Sequence, residues 1–205
     1  MRRLSTTTGV PLSWEITGRL RGQAGTDAVA PAVWPAGSVV VLLDGAARQV
    51  ELPPDARGQL RHWRIGPASR SVSDETYVAQ SFTPDGVGLR PFSVAQVEQP
   101  WRTPRTPGDL TIRWTRRSRA LAADSWGGLE VPLAEELEAY EVEILDGAAV
   151  KRVLSTATTS ATYTAAQQSA DWGAPLGPGD TLDIRIFQLS ALVGRGAPKT
   201  VTLIL

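Results

Sequence analysis

The sequence predicts an all-β protein made of two β-sandwich-like domains, residues 1–98 and 108–205, joined by a linker at 99–107. Its 205 residues include 19 glycines and 15 prolines, scattered along the chain as turn signals. The runs between these turns are short and rich in β-branched side chains. In the second half, apolar side chains alternate with polar ones, as expected of strands with one buried face.

The first half contains four predicted strands, at 13–21, 38–43, 48–52 and 60–65. The run from Val39 to Leu43 is continuously apolar, which predicts a strand buried on both faces. Asp44-Gly45 follows this run directly and is a typical hairpin turn signal. Proline cannot donate to a strand ladder, so Pro53 ends the returning strand.

The predicted linker has the sequence PWRTPRTPG at 100–108. A stretch rich in proline and arginine is semi-rigid and exposed to solvent, which is typical of a domain boundary. The second domain begins sharply after it, where Leu110, Ile112 and Trp114 share one face of a predicted strand. Further strands are predicted at 140–145, 151–154, 161–164, 181–189 and 200–205.

A long connection at 118–139 separates the first two strands of the second domain. Loops of this length in compact domains are usually functional or disordered. Leu133, Leu137 and Tyr140 follow a helical spacing, which predicts a short helix at 133–138. Trp126, beside two glycines, indicates an ordered bend around an indole.

Composition excludes several kinds of chemistry. The chain has no cysteine and a single histidine, His62, so disulfides, thiol catalysis and sites with several histidines are excluded. No nucleophile elbow accompanies His62. Lysine plus arginine and aspartate plus glutamate both total 21, so no global charge attracts nucleic acid or membrane. There is no apolar run long enough for a membrane span and no secretory signal at the N-terminus.

The second half resembles a fibronectin type III domain. Trp114 on the second strand, Tyr140 on the third and LDIRIFQLSALVGRGAP at 182–198 match that pattern in order. A second resemblance covers nearly the whole chain, to the C-terminal region of the baseplate megatron (host-specificity) tail-tip proteins of siphophages and gene transfer agents. It rests on RLRGQAGT at 19–26, WPAGSVVVLLDG at 34–45, GVGLRPFS at 86–93, GDLTIRWTRRSR at 108–119, DSWGGLEVPLAEELEAYEVEI at 124–144 and YTAAQQSADWG at 163–173.

This second resemblance implies a structural component of a phage or phage-like tail tip, located in the virion and made in the host cytoplasm without a signal peptide. The expected partners are the hub and distal tail proteins, with three copies per particle and a host-facing surface that can contact a polysaccharide or receptor. No cofactor, metal, specific nucleic acid or enzymatic activity is expected. The chain lacks the upstream domains of the family, so it is either a separate subunit or a fragment.

Two charged groups are the candidates for chemistry. Glu141 and Glu143 would lie about 7 Å apart on one strand face, a spacing compatible with a polysaccharide hydrolase. We favour a solvated sheet face instead, because the acidic residues alternate with apolar ones. Arg116, Arg117 and Arg119 could grip phosphates. We favour their pairing with the acidic run at 135–143, because no aromatic ladder interleaves the arginines.

Tryptophans are the remaining candidates for binding. Trp114 is predicted to be a core residue. Trp34, Trp101, Trp126 and Trp172 stand in turn-like contexts, where exposed indoles often anchor protein or sugar contacts, and packing in the core or against a loop is at least an equal alternative for each. The candidate interaction residues are therefore Trp101, Trp126, Trp172, Arg116, Arg117 and Arg119. The leading alternative function is a carbohydrate-binding host adhesin.

Overall fold

The computed structural model describes residues 2–3, 14–18, 26, 29–41, 45, 50–99, 106–119 and 131–205. The chain divides into two compact units, one formed by Met1–Ala30 with Arg90–Leu205 and the other by Pro31–Leu89. The predicted linker at 99–107 falls mostly outside the described residues, and the domain limits stay a prediction. Two short strands, β1 (Arg2–Arg3) and β2 (Trp14–Glu15), pair antiparallel.

The unit at 31–89 contains one hairpin among its described residues. β3 (Arg61–Ile65) pairs antiparallel with β4 (Val78–Phe82), in a register that places Trp63 opposite Gln80. The strand predicted at 60–65 is confirmed, whereas β4 was not predicted. The sandwich-like character of the first domain as a whole stays a prediction.

The strand predicted at 38–43 is wrong over the residues that the structure describes. Ser38–Val41 has no strand pairing there, and Val39, Val40 and Val41 are exposed. Residues 42–44 lie outside the described chain. For the return strand at 48–52, residues 50–52 are likewise unpaired and exposed. The apolar pattern identified a segment suited to a strand, but burial also requires a packing partner, and a local pattern does not supply one.

The second half is a β-sandwich. One sheet pairs β5 (Leu110–Arg113) with β8 (Ser160–Tyr163), and a bridge between Ala95 and Thr115 adds a third segment. In the other sheet, β6 (Tyr140–Asp146) lies between β7 (Ala149–Thr156) and β9 (Thr181–Ser190). The far edge of β9 carries β10 (Gly194–Arg195) and β11 (Lys199–Ile204). This distribution of strands matches the fibronectin type III resemblance.

The core lies between these two sheets. The predicted alternation is confirmed for Leu110, Ile112 and Trp114, whereas in β6 Glu143 and Leu145 on the opposite face are buried as well. Trp114 packs edge-on against Tyr140, with ring centroids 5.2 Å apart and an interplanar angle of 70°. The predicted Asp146-Gly147 turn joins β6 to β7, with Gly147 at a φ of 59° that favours glycine. The largest fully buried apolar side chains are Leu110, Ile112, Tyr140, Ile144, Tyr163, Leu182, Ile184, Ile186 and Leu203.

The helix lies where it was not predicted. Residues 133–138 contain only bends and no helix, whereas α1 spans Ala165–Trp172. Its N-terminus has a capping box: the Thr164 side chain accepts from the backbone N–H of Gln167, and the Gln167 side chain accepts from that of Thr164. Gly173 ends the helix in the left-handed conformation.

Candidate interaction surfaces

The predicted pairing of arginines with the acidic run is confirmed for Arg116 and Arg119. The Nη1 atom of Arg116 lies 2.9 Å from Oε1 of Glu138, and the Nε atom of Arg116 donates to the carbonyl of Val131 at 2.5 Å. Arg119 binds Glu135 through two hydrogen bonds of 2.8 and 2.6 Å, and the Glu135 side chain is almost fully buried. These contacts fasten both ends of the long connection to each other, so the two guanidinium groups act as a clamp.

Arg117 is used differently from its neighbours. Its guanidinium lies over the ring of Phe92, 5.2 Å from the centroid, and donates to the hydroxyl of Ser93 at 3.2 Å. Arg117 therefore connects the segment at Phe92 and Ser93 with the residues that lead from β5 into the long connection. The structure brings Arg116, Arg117 and Arg119 to one end of the sandwich, each with a partner within the chain.

Glu136 links the same connection to the turn after β9. Its carboxylate accepts from the Ser190 hydroxyl at 3.1 Å and from the backbone N–H of Ala191 at 3.1 Å. Backbone donation, first from its own N–H and then from Ala191, holds the pKa of Glu136 below its usual range. The helix predicted at 133–138 fails because Glu135, Glu136 and Glu138 are all held by distant partners.

We expect the clamp to keep the described part of the connection rigid. Replacing Glu135 with alanine removes both hydrogen bonds to Arg119 and should raise amide hydrogen exchange several-fold at residues 131–137, measured by mass spectrometry. Amides of β6 should be unaffected, and exposed Glu75→Ala serves as a background control. Unchanged exchange at 131–137 in the Glu135 variant would show that the clamp does not hold this segment.

The paired carboxylates considered for hydrolysis are held by one cation. Glu141 and Glu143 share the outer face of the five-stranded sheet, as predicted, but Glu143 is buried rather than solvated. Arg195 lies 2.5 Å from Glu141 and 2.6 Å from Glu143, while Arg185 lies 2.8 Å from the second oxygen of Glu143. Arg195 also covers the ring of Phe187 at 4.6 Å. A guanidinium thus occupies the space between the carboxylates where a sugar substrate would have to enter.

This arrangement also affects the charge on Arg195. The hydrogen bond to Glu143, followed by that to Glu141, raises the pKa of the Arg195 guanidinium above its usual value. Arg195 therefore stays charged. The site is organised as an ion-pair network across three strands.

Trp172 belongs to a cluster between α1 and β7. Its indole Nε1 donates to the Tyr163 hydroxyl at 2.8 Å, and the ammonium of Lys151 lies 4.2 Å above its ring. The Tyr163 hydroxyl donates to Asp171 at 2.7 Å, and Asp171 also accepts two hydrogen bonds from Arg152, at 2.6 and 2.8 Å. Trp172 is half-buried and packed against the core, so its indole already contacts residues of its own domain.

The other tryptophan candidates are not brought to this cluster. Trp101 and Trp126 lie outside the described residues. Trp34 is exposed, and Trp114 is in the core as predicted. Sequence reasoning missed the contacts of Arg195 and the Arg152–Asp171 pair. The partners lie 52 and 19 residues apart along the chain, so no local spacing indicates either contact.

The described residues offer no obvious metal or membrane feature. None of them form a cluster of three or more histidine, cysteine, aspartate or glutamate side chains that could hold a metal ion. In the same part of the chain, no helix is long and apolar enough to cross a bilayer.

A family model described as "Rcc01698-like, C-terminal" matches residues 5–41 of the chain. No curated protein sequence matches significantly. Several solved structures are similar to the chain, among them the following three. Domains d3–d4 of the rat CD45 extracellular region are 10% identical with a TM-score of 0.37, covering 100% of this chain and 94% of that one.

The Clostridium perfringens spore cortex lytic enzyme SleM is 11% identical with a TM-score of 0.34, covering 70% of this chain and 38% of that one. The FN5 domain of Drosophila Lar is 15% identical with a TM-score of 0.28, covering 56% of this chain and 98% of that one. Similarity at this level carries no functional argument, and the fold assignment rests on the strand pairing itself.

Proposed function

We propose that the chain is a structural component of the tail tip or baseplate of a phage or phage-like particle. The observation that carries the proposal is the family match at 5–41, because Rcc01698 is a gene-transfer-agent-related protein. The resemblance of six segments to tail-tip proteins supports the same role. In this proposal the chain assembles with hub and distal tail proteins in three copies and can present a surface to the host.

The charges of the second domain support a role in assembly rather than catalysis. Most of its charged side chains that could have served as acids, bases or phosphate ligands are engaged with one another, as in the Arg116–Glu138 and Arg195–Glu143 pairs. A domain held together in this way is a rigid module that binds by shape and by buried anchor residues. The proposed mechanism is therefore binding without turnover.

The proposal is tested by measuring how many copies of the chain are bound to each particle. Particles are purified through a density gradient and digested, and the chain is quantified by mass spectrometry against an isotope-labelled standard, with the major tail-tube protein as reference. The expected result is a fixed stoichiometry of three copies, cross-linked to hub or distal tail proteins. Recovery of the chain only at the top of the gradient, free of particles, would contradict the proposal.

A further inference from the structure

The two longest uncharged stretches of the chain run between Asp27 and Asp44 and between Arg152 and Asp171. In a chain that is 20% charged, such stretches stand out, because the core of a protein interface is depleted in charged residues. Among the residues that the structure describes, the first stretch contains the segment Ser38–Val41, which has no strand partner. The second contains, within the same described ranges, strand edges that pair with no further strand.

The open edges lie on β7 and β8. Among the described residues, β7 pairs only with β6 and β8 pairs only with β5. The two strands follow each other across a short turn but belong to opposite sheets, so their free edges face the same side of the sandwich. Between them runs a groove of about 470 Å³, hereafter the edge groove, lined by hydroxyl groups at Ser155, Thr156, Ser160 and Thr162.

The edge groove lacks the features that normally protect an exposed strand edge, namely charged side chains, proline and bulges. Lys151 and Arg152 lie at the start of β7 and are held by Asp146 and Asp171. The register shift in the β6–β7 pair also falls there, opposite Leu145. From Val153 onward, β7 carries an uncharged row of backbone donors and acceptors.

The segment Ser38–Val41 has the complementary properties. Val39, Val40 and Val41 are 84, 68 and 67% exposed, and their β-branched side chains favour the extended conformation. The N–H and the hydroxyl of Ser38 both donate to the carbonyl of Pro35, which is a local turn contact. An uncharged, β-branched segment of this kind is suited to strand addition, in which backbone hydrogen bonds provide affinity.

We propose that Ser38–Val41 of one copy of this chain adds as a strand to the β7 edge of a second copy. Contact between two uncharged surfaces removes no charge from water, so the desolvation cost that opposes buried ion pairs does not arise. Donor and acceptor are different surfaces, so the contact is head-to-tail and can close into a ring. This self-association does not depend on the tail-tip role.

The absence of cysteine from the chain allows a direct test by cross-linking. One preparation carries Val40→Cys and a second, with a different tag, carries Ser155→Cys. The two are mixed and mildly oxidised, because residues on adjacent strands lie within disulfide range. A mixed disulfide between the two tags is expected, in several-fold excess over a control pair of Val72→Cys with Ser155→Cys. No excess over this control, or links formed only between two Val40→Cys chains, would overturn the proposal.

A second variant tests the edge without relying on disulfides. Val153→Lys places a charge on the edge groove, whereas Val150→Lys places one at the other end of the same strand; both side chains are about equally exposed, so both variants should fold. Sedimentation velocity should show that the full chain self-associates and that Val153→Lys weakens this roughly tenfold. A wild-type chain that stays monomeric, or equal effects of the two substitutions, would contradict the proposal.

Discussion

Replacing Trp114 with alanine is expected to lower the free energy of unfolding of the second domain by about 3–5 kcal/mol, the range for large core aromatics. The indole is buried between the sheets and contacts the ring of Tyr140 edge-on. Its removal loses apolar burial, leaves a cavity and forfeits the aromatic pair. The change is measured by urea denaturation followed by far-UV circular dichroism.

Trp34→Ala is the matched control for this substitution. Trp34 is 56% exposed, so the same chemical change should alter the free energy of unfolding by no more than about 0.5 kcal/mol. Equal losses in the two variants would contradict the placement of Trp114 in the sandwich core.

Asp171→Asn should be the next most damaging substitution, at about 2 kcal/mol. Asp171 accepts one hydrogen bond from Tyr163 and two from Arg152. Asparagine keeps the size of the side chain but loses the charge and one acceptor oxygen. Burial raises the pKa of Tyr163 above its usual range, so its hydroxyl stays protonated and continues to donate. Exposed Asp146→Asn, which breaks the surface pair with Lys151, should cost less than about 1 kcal/mol.

The cost of Asp171→Asn should depend on pH in a defined direction. The hydrogen bonds from Arg152, followed by that from Tyr163, hold the pKa of Asp171 below its ordinary value of 3.8. Its contribution is therefore fully present above that value and is lost as the pH falls through the lower pKa of the folded state. The difference in unfolding free energy between wild type and variant should be constant near neutral pH and shrink below about pH 4. A difference that grows on acidification would contradict the assigned ion pair.

The sandwich could be predicted from the sequence because its signals are local. Alternating burial in β5 follows from the period of two in a strand, and the Asp146-Gly147 turn follows from the chemistry of the turn. The helix α1 was missed although Thr164 and Gln167 form a capping box, because it is short and its only fully buried side chain is the polar Gln168. An apolar periodicity was therefore absent.

The individual contacts of the candidate surfaces could not be predicted, because they are long-range. The sequence indicates that the arginines pair with the acidic run, but not that Arg119 binds Glu135 or that Glu136 binds the turn at Ser190. The same limit explains why the strand prediction is wrong at Ser38–Val41. The apolar run predicts a strand, but it does not show which segment that strand would pair with.

The central claim, a role in the tail tip, is tested most directly by locating the chain on intact particles. Gold-labelled antibodies against the chain are applied to gradient-purified particles and viewed by electron microscopy, with antibody against the major tail-tube protein as the control for access. The account predicts gold at the distal end of the tail and nowhere else. Particles decorated along the tube by the control antibody but free of label at the distal end would contradict it.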